Sequence, residues 1–320
     1  MVSFSELKQI PKIDLHINFL SSITTNLAFD LNDDLSIDEV MDMTTLKRFS
    51  EYDKCLEIPI KLLNNVKNIK LAVIDLISRL KKNNVIYGEL FLDLPLYNNK
   101  FSLSYLIDIL LKTIKEEKYD LNLILCVSDK FSKEENIEVL NLVDKYYNNG
   151  VSGIYFNKSK DTNLMDYVYI FDKLIKNNIP YILPFDDKLT NQNREIYTNA
   201  YRIEYLYDGV DSEILELAFE NKITLEFCFS KINELNLSFN VYEFVYNLIK
   251  DNYRVIINSL DMTVLNTDII NEYCLLFNNC DLTLLELVKL LINGINNLLI
   301  DDIIKERLIA NLKDESNKML

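Results

Sequence analysis

Histidine is nearly missing from this chain: His16 is the only one in 320 residues. A zinc centre needs imidazole, thiolate or carboxylate donors at about 2.0–2.3 Å, so one histidine excludes any site that requires three. Tryptophan is absent, and glycine and proline number five each. No Pro/Gly-rich boundary, internal repeat or low-complexity linker breaks the sequence, so residues 1–320 are expected to form a single domain. The abundance of Asn, Lys and Ile resembles the bias of an AT-rich genome. Such drift accounts for a low histidine count but not for the loss of a catalytic one, because selection on activity overrides it.

Positive charge is also scarce. Thirty-four Lys and Arg face 49 Asp and Glu, a net charge of −15. Phosphate contacts need clustered cations, and anionic membranes attract basic surfaces. Nucleic acid and membrane are therefore not expected as partners, whereas acidity says nothing about a small ligand. The five cysteines, Cys55, Cys126, Cys228, Cys274 and Cys280, are odd in number and never spaced C-x-x-C. Cys126 and Cys228 sit in apolar runs, as buried thiols do. This usage fits a reducing compartment. With no basic-then-apolar leader and no run of about 18 apolar residues, the expected setting is the cytoplasm.

Hydrophobic residues make up 49% of the chain, enough for an extensive core; a chain of this size buries about 75% of its unfolded surface. Short β-branched or aromatic runs at 12–19, 86–94, 121–127, 151–157, 180–185, 202–205, 223–229 and 254–258 are expected strands. Between them lie stretches with apolar residues three and four apart, at 69–82, 104–118, 133–147, 165–176, 212–220 and 241–250. Val73, Leu76, Ile77 and Leu80 show the helical period. Alternation of this kind implies right-handed βαβ units and a parallel sheet. Eight such strands favour closure into a (β/α)₈ barrel. The segment from about 22 to 66 is expected to carry extra helices over one barrel mouth, and 268–277, 283–293 and 303–312 to form three closing helices.

Within the first strand, Asp14-Leu15-His16-Ile17-Asn18 puts His16 and Asn18 on one face, since residues i and i+2 project together. The collinear pieces Tyr87-Gly88-Glu89-Leu90, Leu225-Glu226-Phe227-Cys228, Arg254-Val255-Ile256-Ile257-Asn258-Ser259-Leu260-Asp261, Asp268-Ile269-Ile270-Asn271-Glu272-Tyr273 and Ile292-Asn293-Gly294 complete a pattern. Over about 11–308 it resembles the adenosine deaminase family, metal-dependent (β/α)₈ hydrolases that remove the amino group from purine nucleosides.

That resemblance implies site positions, and most of them are altered. Where the family has His-x-His-x-Asp, this chain has His16, Asn18 and Leu20. The family's His-Ala-Gly-Glu is Pro184-Phe185-Asp186-Asp187, and its Gly-His-Gly is Glu204-Tyr205-Leu206. Its Asn-Thr-Asp-Asp is Asn258-Ser259-Leu260-Asp261. The metal positions implied are thus His16, Asn18, Pro184 and Leu260, of which only His16 keeps its donor. Asp187 and Tyr205 stand at vestigial catalytic positions, and Asp261, Asn18 and Glu204 at candidate substrate-binding ones. A zinc ion lowers the pKa of its bound water from 15.7 to about 7, and misplacing a reacting group by about 1 Å costs on the order of 100-fold. Zinc deamination is therefore not expected. Oxygen donors leave Mg²⁺, Mn²⁺ or Ca²⁺ open.

The expectation is a catalytically inactive adenosine-deaminase-like protein that binds a purine-like molecule or a protein partner. The alternative is a hydrolase of altered specificity working through Asp187, Asp261, Glu204 and His16. A further alternative is a structural partner of an active deaminase in a mixed oligomer. Plainer roles stand beside these. His16 as a core histidine bonded to a carboxylate, the three aspartates as loop caps and Tyr205 as a packing group explain the residues equally well. Leu20, Phe185 and Leu260, if all turned to the mouth, would form an apolar plug.

Overall fold

The computed structural model describes residues 4–32, 36–45, 51–97 and 100–318. Eight parallel strands follow one another in sheet order: β1 (Lys12–Asn18), β2 (Val85–Leu92), β3 (Leu121–Ser128), β4 (Val151–Asn157), β5 (Tyr181–Phe185), β6 (Arg202–Tyr205), β7 (Thr224–Phe227) and β8 (Val255–Ile257). Because helices cover the outside and side chains fill the inside, the strands are buried on both faces. Their alternation sorts the core. Ile124 and Cys126 join Phe91, Tyr155 and Ile182 in a small inner cluster, while Leu123, Leu125 and Val127 belong to the large outer shell.

The seam between β8 and β1 is stitched rather than laddered. Past the end of β8, Leu260 donates to the His16 carbonyl at 2.9 Å and accepts from the Asn18 amide at 3.0 Å. Two side chains close the rest. Asn258 Oδ1 accepts from the Leu15 amide at 3.0 Å, and Asp14 Oδ1 accepts from the Ser259 amide at 3.1 Å. Leu260 bends back at φ 51°, a left-handed conformation uncommon outside glycine. The result is the α/β barrel read from the strand–helix alternation.

Helices Thr25–Asp30, Ile37–Thr44, Tyr52–Cys55 and Glu57–Leu62 follow β1 before the long helix Val66–Lys82. Three helices close the chain, Ile269–Asn279, Leu284–Asn296 and Asp302–Asn317. Gly294 is where the second of them meets the barrel: a Cβ there would lie 2.7 Å from Ile13 Cδ1 and 3.5 Å from Ile256 Cγ2. No described helix is long and apolar enough to cross a membrane, and all five cysteines are free thiols.

One boundary differs in a way that matters for the site. The apolar run 223–229 reads as one strand, yet β7 stops at Phe227 and a helix spans Phe229–Leu235. Its N-terminus is capped from a distance. Glu272, on Ile269–Asn279, accepts from the Phe229 amide at 2.6 Å and the Ser230 amide at 3.3 Å, and also bonds the Ser230 hydroxyl. A carboxylate placed on the first free amides favours the helix, and a cap 42 residues away along the chain leaves no local signal.

Candidate functional site at the barrel mouth

The ring of His16 lies inside the barrel, stacked on Phe91 with centroids 3.6 Å apart and edge-on to Tyr155 at 5.0 Å. Its Nδ1 meets Glu226 Oε2 at 2.9 Å, both side chains fully buried. A carboxylate partner puts a proton on Nδ1, and Nε2 has no hydrogen-bond partner among the described residues. Glu226 is also ion-paired to Arg202 Nε. Arg202 reaches Glu89 at 2.6 Å and the Leu15 carbonyl at 2.9 Å, and the Tyr87 hydroxyl donates to Glu89 at 3.3 Å. Burial pushes the Glu89 carboxyl up, with Arg202 opposing.

A second group sits around Glu204. Its carboxylate accepts from the Tyr155 hydroxyl at 2.8 Å and the Lys231 ammonium at 2.7 Å. Burial favours the neutral acid, but the Lys231 charge, His16 and the hydrogen bonds from Lys231 and Tyr155 together outweigh it and hold Glu204 below the usual carboxylate range. In the third group, Asp261 Oδ1 accepts from Asn18 at 2.6 Å, Ser21 at 2.7 Å and Tyr52 at 2.7 Å. Tyr52 comes from the helical segment after β1, which thus fastens onto the mouth. Nearby Asp93, just past β2, is pushed up to about 6 by burial and by the negative charge of Asp261.

The structure therefore brings His16, Asn18, Glu204 and Asp261 to one end of the barrel. It does not bring Asp187 or Tyr205 to them. Asp187 is exposed and accepts from the Lys188 amide at 2.7 Å. Its neighbour Asp186 pairs with Lys158 at 2.5 Å. Tyr205 points into the outer shell, packed among Phe185, Phe227 and Phe244, with its hydroxyl on the Gly209 carbonyl and the Asp211 amide. Phe185 lies on that outer side too, against Tyr197 and Tyr207. The apolar plug of Leu20, Phe185 and Leu260 does not form, because the strand period sends Phe185 away from Ile182 and the barrel interior. Leu20 and Leu260 are both buried.

Sequence reading passed over Glu226, Arg202, Lys231, Asp93, Tyr155 and Tyr52 as site residues. A signal for some was present. Glu89, Glu226 and the pair Arg202 and Glu204, two residues apart, are charges inside otherwise apolar strands, where a buried charge must be paired.

Zinc, which the resemblance implies, does not fit these side chains. Leu260 and Pro184 offer no side-chain donor, Asn18 offers only a neutral amide oxygen while its nitrogen donates to Asp261, and only His16 retains a good zinc ligand. Among the described residues, no three His, Cys, Asp or Glu side chains are grouped to hold a metal. A cleft of about 440 Å³ lies away from His16, between Val66–Lys82 and the turn after β8, lined by Thr24, Arg79, Lys82, Met262 and Asp268.

Comparison with known proteins agrees with this architecture. The family model for adenosine deaminase matches residues 11–315. An adenosine deaminase of Clostridium perfringens is 24% identical, over 94% of this chain and 98% of its own length. Among solved structures, the apo N6-methyl-AMP deaminase from Arabidopsis thaliana has a TM-score of 0.85 at 16% identity, covering 99% of this chain and 100% of its own. The arabidopsis ADAL complexed with IMP also reaches 0.85 at 16% identity, covering 98% and 99%. At these identities the structural likeness speaks for the fold, and the match over 11–315 for descent: the chain belongs to the adenosine deaminase family.

Proposed function

We propose that this protein is a catalytically inactive member of its family, working in the cytoplasm by binding a purine-like small molecule or a protein partner. One observation carries the reading: three of the four implied metal positions have been replaced, and apart from Nε2 of His16 the polar groups around them are bound to one another. Nδ1 of His16 is bound to Glu226, Glu204 to Lys231 and Tyr155, and Asp261 to Asn18, Ser21 and Tyr52. Metal-assisted hydrolysis requires an open coordination position on a fixed ion, and with three of the four implied zinc positions altered this donor set does not supply zinc-type ligation. A purine-like ligand is the first choice because solved relatives of the fold were captured with IMP and GMP. The test combines calorimetric titration of zinc with ultraviolet assays on adenosine, AMP and N6-methyl-AMP. No tight zinc binding and no turnover are expected, together with saturable binding of a purine compound. Turnover of any of the three refutes the proposal.

A second reading is a hydrolase of altered specificity. It is favoured by the unpartnered Nε2 of His16 and by Asp93 standing near neutrality, since perturbed groups cluster at working sites. Hydrolysis of a nucleoside or nucleotide that is abolished by both His16→Ala and Asp93→Asn would establish it.

A further inference from the structure

The charges at the mouth do not balance by chance. Glu89, Glu204, Glu226, Asp93 and Asp261 bring five carboxyl groups into or beside the barrel. Arg202 is taken by Glu89 and Glu226 and Lys158 by Asp186, while Lys130 pairs with Asp53 and also acts on Asp93. Lys231 remains for Glu204, and it also feels Asp261. Its place is secured by the distant cap: Glu272 fixes the first two amides of the helix Phe229–Leu235, so the third residue projects back over the strand ends. Glu204 is only 1% exposed and the Lys231 side chain 15%, so this pair works with little help from solvent. Buried carboxylates without a counter-charge are strongly disfavoured.

We propose that Lys231 is the resident cation of this barrel mouth, its ammonium supplying from within the chain the positive charge that a bound metal would bring to an intact donor set. The inference rests on the reading that the mouth does not take zinc. It gives the loss of metal donors a physical sequel. Once the ion was gone, Glu204 and Asp261 needed compensation, and an ammonium tethered to a capped helix provides it at fixed distance. A divalent ion and the ammonium then exclude one another, because both would sit against Glu204. Removing Lys231 uncovers a carboxylate that attracts a cation from solution, beside a histidine whose Nε2 is unpartnered.

Thermal unfolding of the full-length protein tests this, with and without ZnCl₂, for wild type, Lys231→Met, Lys231→Ala and the Lys231→Met/Glu204→Gln double variant. Methionine keeps most of the side-chain volume and removes the charge. Lys231→Met is expected to lower Tm by about 5–10 °C, the scale for leaving one buried partner uncompensated. The double variant should regain at least half of that loss. Zinc should leave the wild-type Tm unchanged and raise that of Lys231→Ala by several degrees, as a ligand that binds only the folded state does. The proposal is overturned if Lys231→Met melts with wild type, if the double variant is no more stable than Lys231→Met, or if zinc fails to stabilise Lys231→Ala. Should Lys231→Ala not fold, the coupling between Lys231→Met and Glu204→Gln decides alone. Tight zinc binding by the wild type is a separate failure, of the inactive-enzyme reading itself, and is seen without any variant.

Discussion

Nδ1 of His16 stands 2.9 Å from Glu226 Oε2, and neither side chain is reached by solvent. The contact turns the chain's one histidine from a free ligand into the end of a relay running through Glu226 and Arg202 to Glu89. Removing Glu226 would leave Arg202 half-paired and His16 without its acceptor. Glu226→Ala should therefore cost about 3–5 kcal/mol, the range for breaking a buried pair from one side. Glu226→Gln, which keeps an acceptor oxygen for Nδ1, should cost less. Urea denaturation at neutral pH measures both, and equal losses would show that charge, not the His16 contact, dominates.

The β1–β8 seam predicts a dependence on pH. Burial pushes the Asp14 carboxyl up to about 7, against the hydrogen bonds from Ser259, while burial brings Lys12 down to about 7, with the Asp268 charge opposing. Between pH 4 and 7 the folded chain holds a proton on Asp14 that the unfolded chain has released, so this contribution is complete below about 4 and is lost as pH rises to 7. Between pH 7 and 10 the unfolded chain holds a proton on Lys12 that the folded chain has shed, so stability recovers. Each limb approaches about 1.4 kcal/mol per pH unit. Asp14→Asn should flatten the acid limb and Lys12→Met the alkaline one in a pH series of urea melts. An unchanged profile in either variant would assign the dependence to other groups.

Much of the barrel was legible because a parallel strand buried on both faces and an amphipathic helix leave opposite periodicities in the sequence. Strand β3 and the helix Lys133–Tyr146 follow directly from that contrast. The mouth was less legible, for two physical reasons. Family motifs place residues along the chain but not around a strand, so Tyr205 and Phe185 occupy expected positions while facing the outer shell. The partners that define the site are also remote: Glu226 lies 210 residues from His16, and Asp261 is 243 from Asn18. The helix carrying Lys231 depends on Glu272, whose role no local pattern announces.

That remote cap can be tested without touching Lys231. Glu272 binds two amides and the Ser230 hydroxyl and also accepts from Thr267 at 2.8 Å. Glu272→Ala would leave these donors unsatisfied in a buried setting, at about 1–3 kcal/mol for the first and less for those that find water. Hydrogen exchange should then quicken at Phe229 and Ser230 before it does in β7. If exchange rose evenly along both elements, the cap would be a general prop and not the anchor of this helix.

Gly294 offers the last prediction, concerning how the closing helix Leu284–Asn296 sits on the barrel. A methyl group there would come within 2.7 Å of Ile13 Cδ1, closer than carbon atoms approach without one of them moving. Ile13 lies on β1 beside Asp14, so any shift is passed to the seam. The obstructing atom is the end of a side chain, which can turn aside, so Gly294→Ala should cost about 1 kcal/mol, the low end for overpacking. The gain in helix propensity from alanine, up to about 1 kcal/mol, offsets part of the clash. Ile13→Val deletes Cδ1 and removes the obstacle. The double variant should accordingly be more stable than the sum of the two single changes, a coupling that urea melts resolve. Simple additivity would mean that Ile13 already yields at no cost and that glycine at 294 answers to something other than this contact.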